Sequence, residues 1–231
     1  MSAVLLGSNS GGATALFEAI KAGDTTQVTA LLDADASLAN AANEHGTAAH
    51  TFAVYNRKTE IAQLLETRGA RIDIFAASMS GRAELIREML AVNAALAKLM
   101  SHDGWTPLHL AAFFGHKNAA AALIEAGADI TVRSTNAMSN MPLHAAVAGR
   151  NFDLVEMLVE NGAPVNAQQH GGWTPLHAAA QNGDVPMVAV FIAAGADPNA
   201  RADNQQRPID LALTKGHHDI VTLLEQYGAK F

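Results

Sequence analysis

The chain contains no cysteine, which removes disulfides, thiolate metal ligands and a cysteine nucleophile from consideration. Aromatic residues are scarce, 5% of 231 positions, so an interior must rest on the Ala, Leu, Val and Ile within a hydrophobic fraction of 49%. Small side chains of that kind suit helices packed closely side by side. No apolar run of about 18 residues is free of charge, so a membrane-spanning helix is not expected. The opening MSAVLLGSNSGG lacks the basic region and cleavage-like site of a secretory leader, and the default expectation is a cytoplasmic protein. Basic clusters are missing too: Lys and Arg stand singly except for Arg57-Lys58, and the net charge is −7. Nucleic acid is therefore excluded as the main partner, because a basic footprint is needed to displace counterions from phosphates.

What is present is repetition, the feature to seek first because overlooking it misreads the whole fold. GWTPLHLAAFFGH (104–116), NMPLHAAVAGRN (140–151) and GWTPLHAAAQNGD (172–184) align with one another, and an apolar stretch closed by Gly-Ala follows each. RPIDLALTKGHHDIVTLLEQYGA makes a fourth copy, and the closing glycines Gly127, Gly162, Gly195 and Gly228 stand 35, 33 and 33 residues apart. Weaker copies precede them. TALFEAIKAGDTTQVTALLDADA has Asp35 in the closing slot, GTAAHTFAVYNRKTEIAQLLETRGA closes at Gly69, and DIFAASMSGRAELIREMLAVNA has Asn93 there. Seven units thus end near 35, 69, 93, 127, 162, 195 and 228, and they fill residues 14–231 as one domain behind a tail of 1–13.

Each unit reads as two helices. Thr before Pro supplies a capping hydroxyl and then a residue whose missing N–H costs nothing at the first helical position. Leu108, Leu143 and Leu176 face inward, with alanines behind them that let the next helix approach. Gly115 and Gly183 end the first helix in the left-handed conformation. A second helix with period near 3.6 follows, as at Ile220, Leu223 and Leu224, and its closing glycine leads into an extended polar hairpin. One such pair cannot bury its apolar faces, whereas a stack of pairs forms a continuous core.

The pattern resembles the ankyrin-repeat family, whose signature is a period near 33 with Thr-Pro-Leu-His opening the first helix. The match is strong in repeats 4 to 6, fair in repeat 7 and degenerate in repeats 1 to 3. This resemblance implies an all-α solenoid of stacked helix-turn-helix units with protruding β-hairpin loops, working as a protein-interaction module. The ends resemble caps: repeat 7 has Asp210 in the His slot and stops at Lys230-Phe231, and repeat 1 has Phe17 there, so the solenoid is expected to be complete.

Two departures carry structural expectations. Only 24 residues separate Gly69 from Asn93; the hairpin is missing, Asp73 should cap a helix starting near Ile74, and the row of fingers should have a gap. The loop from Arg133 to Asn140 is about two residues long for the family and should protrude.

Ten histidines invite a metal or acid–base reading. His109, His144 and His177 hold one slot in successive repeats, but neighbouring helices lie roughly 8–10 Å apart and zinc requires its nitrogens at about 2.0–2.1 Å. The resemblance implies instead that this His bonds backbone and ties one loop to its neighbour. No nucleophile elbow, phosphate-binding loop or dinucleotide fingerprint occurs in a strand-turn-helix setting, and the repeats leave no separate catalytic domain. No catalytic residue, metal ligand or cofactor is assigned, and the protein is not expected to be an enzyme.

The variable slots are the better candidates. The resemblance places the residue before Thr-Pro and the two before the first glycine on a concave face: Trp105, Phe113 and Phe114 in repeat 4, Trp173, Gln181 and Asn182 in repeat 6. Tryptophan is enriched at interface hot spots, although each could instead stack on the adjacent hairpin and stiffen the row. Asn136, Met138, Gln168, Gln169, His170, Asn204 and Gln205 lie at finger tips as further candidates. The expected partner is another protein or peptide gripped by a monomer, with no nucleic acid and no membrane. The alternative is an inhibitor or antitoxin-like regulator that occludes an enzyme, its acidic surface matched to a basic target.

Overall fold

The computed structural model describes residues 10–230, so residues 1–9 and Phe231, and with them most of the stretch read as a tail, lie outside the described residues. Fourteen α-helices run along the described chain. The fold is the all-α ankyrin-repeat solenoid. Two compact units divide between Ser80 and Gly81.

The first unit holds α1 (Ser10–Ala22), α2 (Thr25–Ala34), α3 (Ala49–Tyr55), α4 (Thr59–Thr67) and α5 (Ile74–Met79). Helix α1 thus takes in residues 10–13. Helix α3 packs between α1 and α5, while α2 packs on α4. Leu16, Ile20, Leu32, Ile61 and Leu65 are all but fully buried. Phe17 meets Phe52 edge-on at 5.2 Å, so the ring that replaces His in repeat 1 extends this core.

The second unit holds α6 (Ala83–Val92), α7 (Pro107–Phe114), α8 (Lys117–Glu125), α9 (Pro142–Ala148), α10 (Phe152–Glu160), α11 (Pro175–Asn182), α12 (Val185–Ala193), α13 (Pro208–Lys215) and α14 (His218–Gln226). Two rows result. First helices α7, α9, α11 and α13 pack in sequence, and so do second helices α6, α8, α10, α12 and α14. Leu108, Leu143, Leu176 and Ile209 repeat one buried position along the first row, and Ala111, Ala146, Ala179 and Ala212 repeat another with no exposed surface. Alanine there brings backbones close enough for the leucines to interdigitate, and each buried leucine contributes about 2 kcal/mol.

Local chemistry explains the boundaries. Thr106 and Thr174 cap α7 and α11 with Pro at the first position, and Gly115 and Gly183 stop them at φ 84° and 76°. Asp73 caps α5 by accepting from Ala76 N–H at 2.8 Å, so the missing hairpin leaves a helix that starts at once. The closing glycines Gly69, Gly127, Gly162, Gly195 and Gly228 all have φ between 82° and 87°. Asp35 and Asn93 differ: both are extended at φ −148°, and their carboxylate or amide oxygens cap short 3-10 turns, Ala36–Asn40 and Ala94–Lys98. These side chains stop the helix by competing for backbone N–H groups, a route that needs no left-handed residue.

The fingers are turns, not sheets; the described residues hold one isolated antiparallel bridge, Ala42 with Ala48. Ser101 N–H donates to Trp105 carbonyl, Gln169 to Trp173 and Ala202 to Gln206, each four residues on. In the long finger the corresponding bond spans six, from Ser134 N–H to Asn140 carbonyl at 2.7 Å.

Candidate functional site

The site is built on the histidines that begin the first helices. In repeat 4 Thr106 N–H donates to His109 Nδ1 at 3.3 Å. A backbone N–H can only donate, so Nδ1 is the bare nitrogen and the proton sits on Nε2. That proton points to the Asn140 carbonyl of the next finger at 3.0 Å. His144 repeats the arrangement, with Nδ1 accepting from Met141 N–H at 3.2 Å and Nε2 on the Ala167 carbonyl at 3.0 Å. His177 continues it with Thr174 N–H and the Gln206 carbonyl. Burial disfavours their charged form and outweighs the help of the carbonyls: His109 and His144 are pushed down to about 4, and His177 is lowered. The three imidazoles are neutral struts. Among the described residues no group of three or more His, Asp or Glu is placed to hold a metal ion.

Repeat 2 shows what replaces the strut when the next finger is missing. His50 is buried and its Nε2 lies 2.8 Å from Glu66 Oε1, a carboxylate on α4 in the same repeat.

Both tryptophans sit on this scaffold. The Trp105 ring lies over His109 at 5.9 Å and 32°, and Trp173 lies over His177 at 5.8 Å and 36°. Trp105 also meets Phe113 edge-on at 5.3 Å, and Phe113 meets Phe114 at 5.4 Å. Tilted and edge-on pairs at such separations are the favoured aromatic geometries. All four rings are half-buried. Three of the candidate residues, Trp105, Phe113 and Phe114, thus form one cluster at the end of α7, and Trp173 stands on its own histidine two repeats on.

The remaining candidates are held mainly through their backbones. Asn136 donates to Asp103 carbonyl at 2.9 Å, and His170 N–H donates to Met138 carbonyl at 2.9 Å, so successive fingers are tied while Met138 stays 46% exposed. The Gln168 carbonyl accepts from Arg133 at 2.7 Å, and Gln169 N–H closes its own finger. Gln181 and Asn182 lend their carbonyls to His217 Nε2 and the Arg150 guanidinium. Asn204 bonds Gln206 at 2.6 Å, and Gln205 turns the last finger at φ 67°.

Sequence reading missed Arg133, Arg150 and Asn151. Asn151 Nδ2 donates to both Ala112 and Phe113 carbonyls at 2.8 Å, satisfying the end of α7. A signal for it existed: Asn151 holds the slot that His116 and His217 hold in their repeats. Arg150 carries φ 58° where the other stops of this unit use glycine, and nothing in the motif predicts that.

Sequence comparison agrees with this architecture. A family profile described as "Ankyrin repeats (3 copies)" matches residues 74–134 and 143–231, and one described as "Ankyrin repeats (many copies)" matches 115–159. The chain belongs to the ankyrin-repeat family. Ankyrin repeats are generally protein–protein interaction modules, a non-catalytic scaffold family. A putative ankyrin repeat protein of fowlpox virus is 29% identical over 165 residues, covering 68% of this chain and 37% of its own. The neurogenic locus Notch protein of Drosophila melanogaster is 40% identical over 93 residues, covering 40% of this chain and 3% of its own. Human neurogenic locus notch homolog protein 1 is 34% identical over 91 residues, covering 39% and 4%. The ankyrin-repeat chain therefore spans only a fraction of the length of these relatives. No helix among the described residues is long and apolar enough to cross a membrane.

Proposed function

We propose that the chain binds another protein or peptide along the face formed by α7, α9 and α11 and the adjoining fingers, acting as a cytoplasmic, monomeric and non-enzymatic adaptor. The cluster Trp105–Phe113–Phe114, half-buried at the end of α7, carries this reading. Aromatic side chains that keep part of their surface in water on a rigid row are the usual anchors of an interface. Their supports suit the task, because the histidine struts and finger-to-finger bonds hold the rings in place before a partner arrives, which lowers the ordering cost of binding.

The test compares the full chain with a Trp105→Ala, Phe114→Ala double variant as immobilised bait for proteins of the source cell. Partners held by the face are expected to be retained by the wild type and lost by the variant, with circular dichroism unchanged. Equal capture by both chains would remove this surface from consideration.

A further inference from the structure

The charge of the second unit is segregated between its two helix rows. The second helices α6, α8, α10 and α14 carry eight carboxylates against two cations, Arg87 and Lys117. The first helices α7, α9 and α11 carry no charged residue at all. In α13 the one carboxylate, Asp210, is held by Arg207 through bonds of 2.9 Å to both of its oxygens. The fingers carry both signs, Asp103 and Asp203 beside Arg133 and Arg201. Eight carboxylates against two cations give the second-helix row a net charge of −6, while α7, α9 and α11 contribute none.

Two exposed cations remain on the first-helix row. Lys215 precedes the stop glycine of α13, the register that Phe114 and Asn182 hold in α7 and α11. Arg150 lies between those two helices: its neighbours Gly149 and Asn151 both pack on the Phe113 carbonyl, and its guanidinium reaches the Asn182 carbonyl at 3.3 Å. Its left-handed backbone is one that glycine adopts freely and a long side chain does not. The turn that displays this exposed cation thus packs on the backbone of Phe113, a member of the ring cluster.

We infer that the occupant of this face is an acidic segment of a partner protein, its carboxylates on Arg150 and Lys215 and a large apolar side chain against Trp105, Phe113 and Phe114. This rests on the binding reading above and reverses the electrostatic sense of an inhibitor matched to a basic enzyme. The helices α7, α9 and α11 offer a basic partner no carboxylate, and the finger carboxylates Asp103 and Asp203 are matched by Arg133 and Arg201. A single-stranded nucleic acid needs a continuous cationic track beside its stacking rings, and two lysine or arginine side chains do not make one.

The experiment selects binders to the full chain from a displayed random-peptide library, then measures the affinity of the selected peptides for the wild type, Trp105→Ala, Arg150→Glu and Arg150→Gly. The glycine variant keeps a residue suited to the turn, so a loss there reports the missing charge and not a damaged helix end. Selected peptides are expected to be rich in Asp and Glu with Phe, Trp or Leu, to bind more weakly as salt rises, and to lose about tenfold or more in affinity to Arg150→Glu and several-fold to Arg150→Gly. Peptides that depend on Trp105 but are basic, or are indifferent to Arg150→Glu, would overturn the acidic assignment and leave the face standing. Peptides indifferent to both Trp105→Ala and Arg150→Glu, or no binders at all, would sink the face as well.

Discussion

His144 donates from Nε2 to the carbonyl of Ala167, 3.0 Å away on the next finger. The bond requires a neutral ring, because Nδ1 must stay bare to accept from Met141 N–H. His109 is built the same way, and burial lowers both from the ordinary 6.5 to about 4. The sign follows from linkage: above 6.5 the ring is neutral folded or unfolded, and the full stability is present. Below 6.5 the unfolded chain takes up the proton first, so stability falls as pH drops from 6.5 towards 4. At pH 5 the loss is on the order of 2 kcal/mol per histidine, with His177 adding in the same direction. Urea midpoints measured between pH 7.5 and 4.5 should fall steeply below 6.5, and a His144→Gln variant should show a shallower fall. Midpoints that do not move over that range would contradict the neutral strut.

Glu66 does for His50 what a finger carbonyl does for His144. Its Oε1 lies 2.8 Å from a ring nitrogen of a histidine that is 1% exposed, and His50 Nδ1 is buried without a hydrogen-bond partner. Glu66→Ala would leave the whole ring unbonded in an apolar surround, a loss of about 1–3 kcal/mol. Glu66→Gln keeps an acceptor and should lose much less. Chemical denaturation of the two variants checks this, and equal stability of Glu66→Ala and wild type would show that the bond is dispensable.

These two histidines also mark how far the sequence could be read. The period, the Thr-Pro caps, the Asp73 start of α5 and the longer 133–140 finger depend on residues near one another in the chain, where one side chain decides one backbone conformation. The aromatic cluster at Trp105, Phe113 and Phe114 was legible for the same reason, since its members share one repeat. Glu66 lies in the same repeat as His50 but sixteen residues on, across two helices, and the carbonyls beneath His217 and Arg150 and the row-by-row segregation of charge depend on which repeats stack. Asp35 and Asn93 resisted for another reason. They occupy a glycine's place in the pattern yet stop the helix through their side chains, at an extended backbone angle. A slot in a repeat fixes where a helix ends but leaves open how.

Protection against hydrogen exchange should differ along the chain. Repeats 4 to 6 combine the Thr-Pro starts of α7 and α11, the three histidine struts and the finger-to-finger bonds, whereas α3 and α5 are only seven and six residues long and lack these struts. In a repeat protein stability is a sum of local and nearest-neighbour terms, so the weaker repeats open at lower free energy. Amides of α7, α9 and α11 should exchange slowest and those of α1 to α5 fastest. The reverse order would show that caps and struts do not set local stability here.

Gly149 and Arg150 separate two backbone effects in adjacent residues. Gly149 has φ −75°, which any residue adopts, but a Cβ there would lie 2.1 Å from the Phe113 carbonyl oxygen. Gly149→Ala must push α9 away from α7, and overpacking of a rigid contact of this kind costs about 1–3 kcal/mol. Arg150 is the opposite case: it has room but sits at φ 58°, and glycine relieves a strain of about 1 kcal/mol. Arg150→Gly should therefore raise the thermal midpoint while Gly149→Ala lowers it. Combined with the peptide measurement, a chain that becomes more stable and binds acidic segments less tightly would show that this turn gives up stability for the charge it displays. An Arg150→Gly variant no more stable than the wild type would remove the strain from that account.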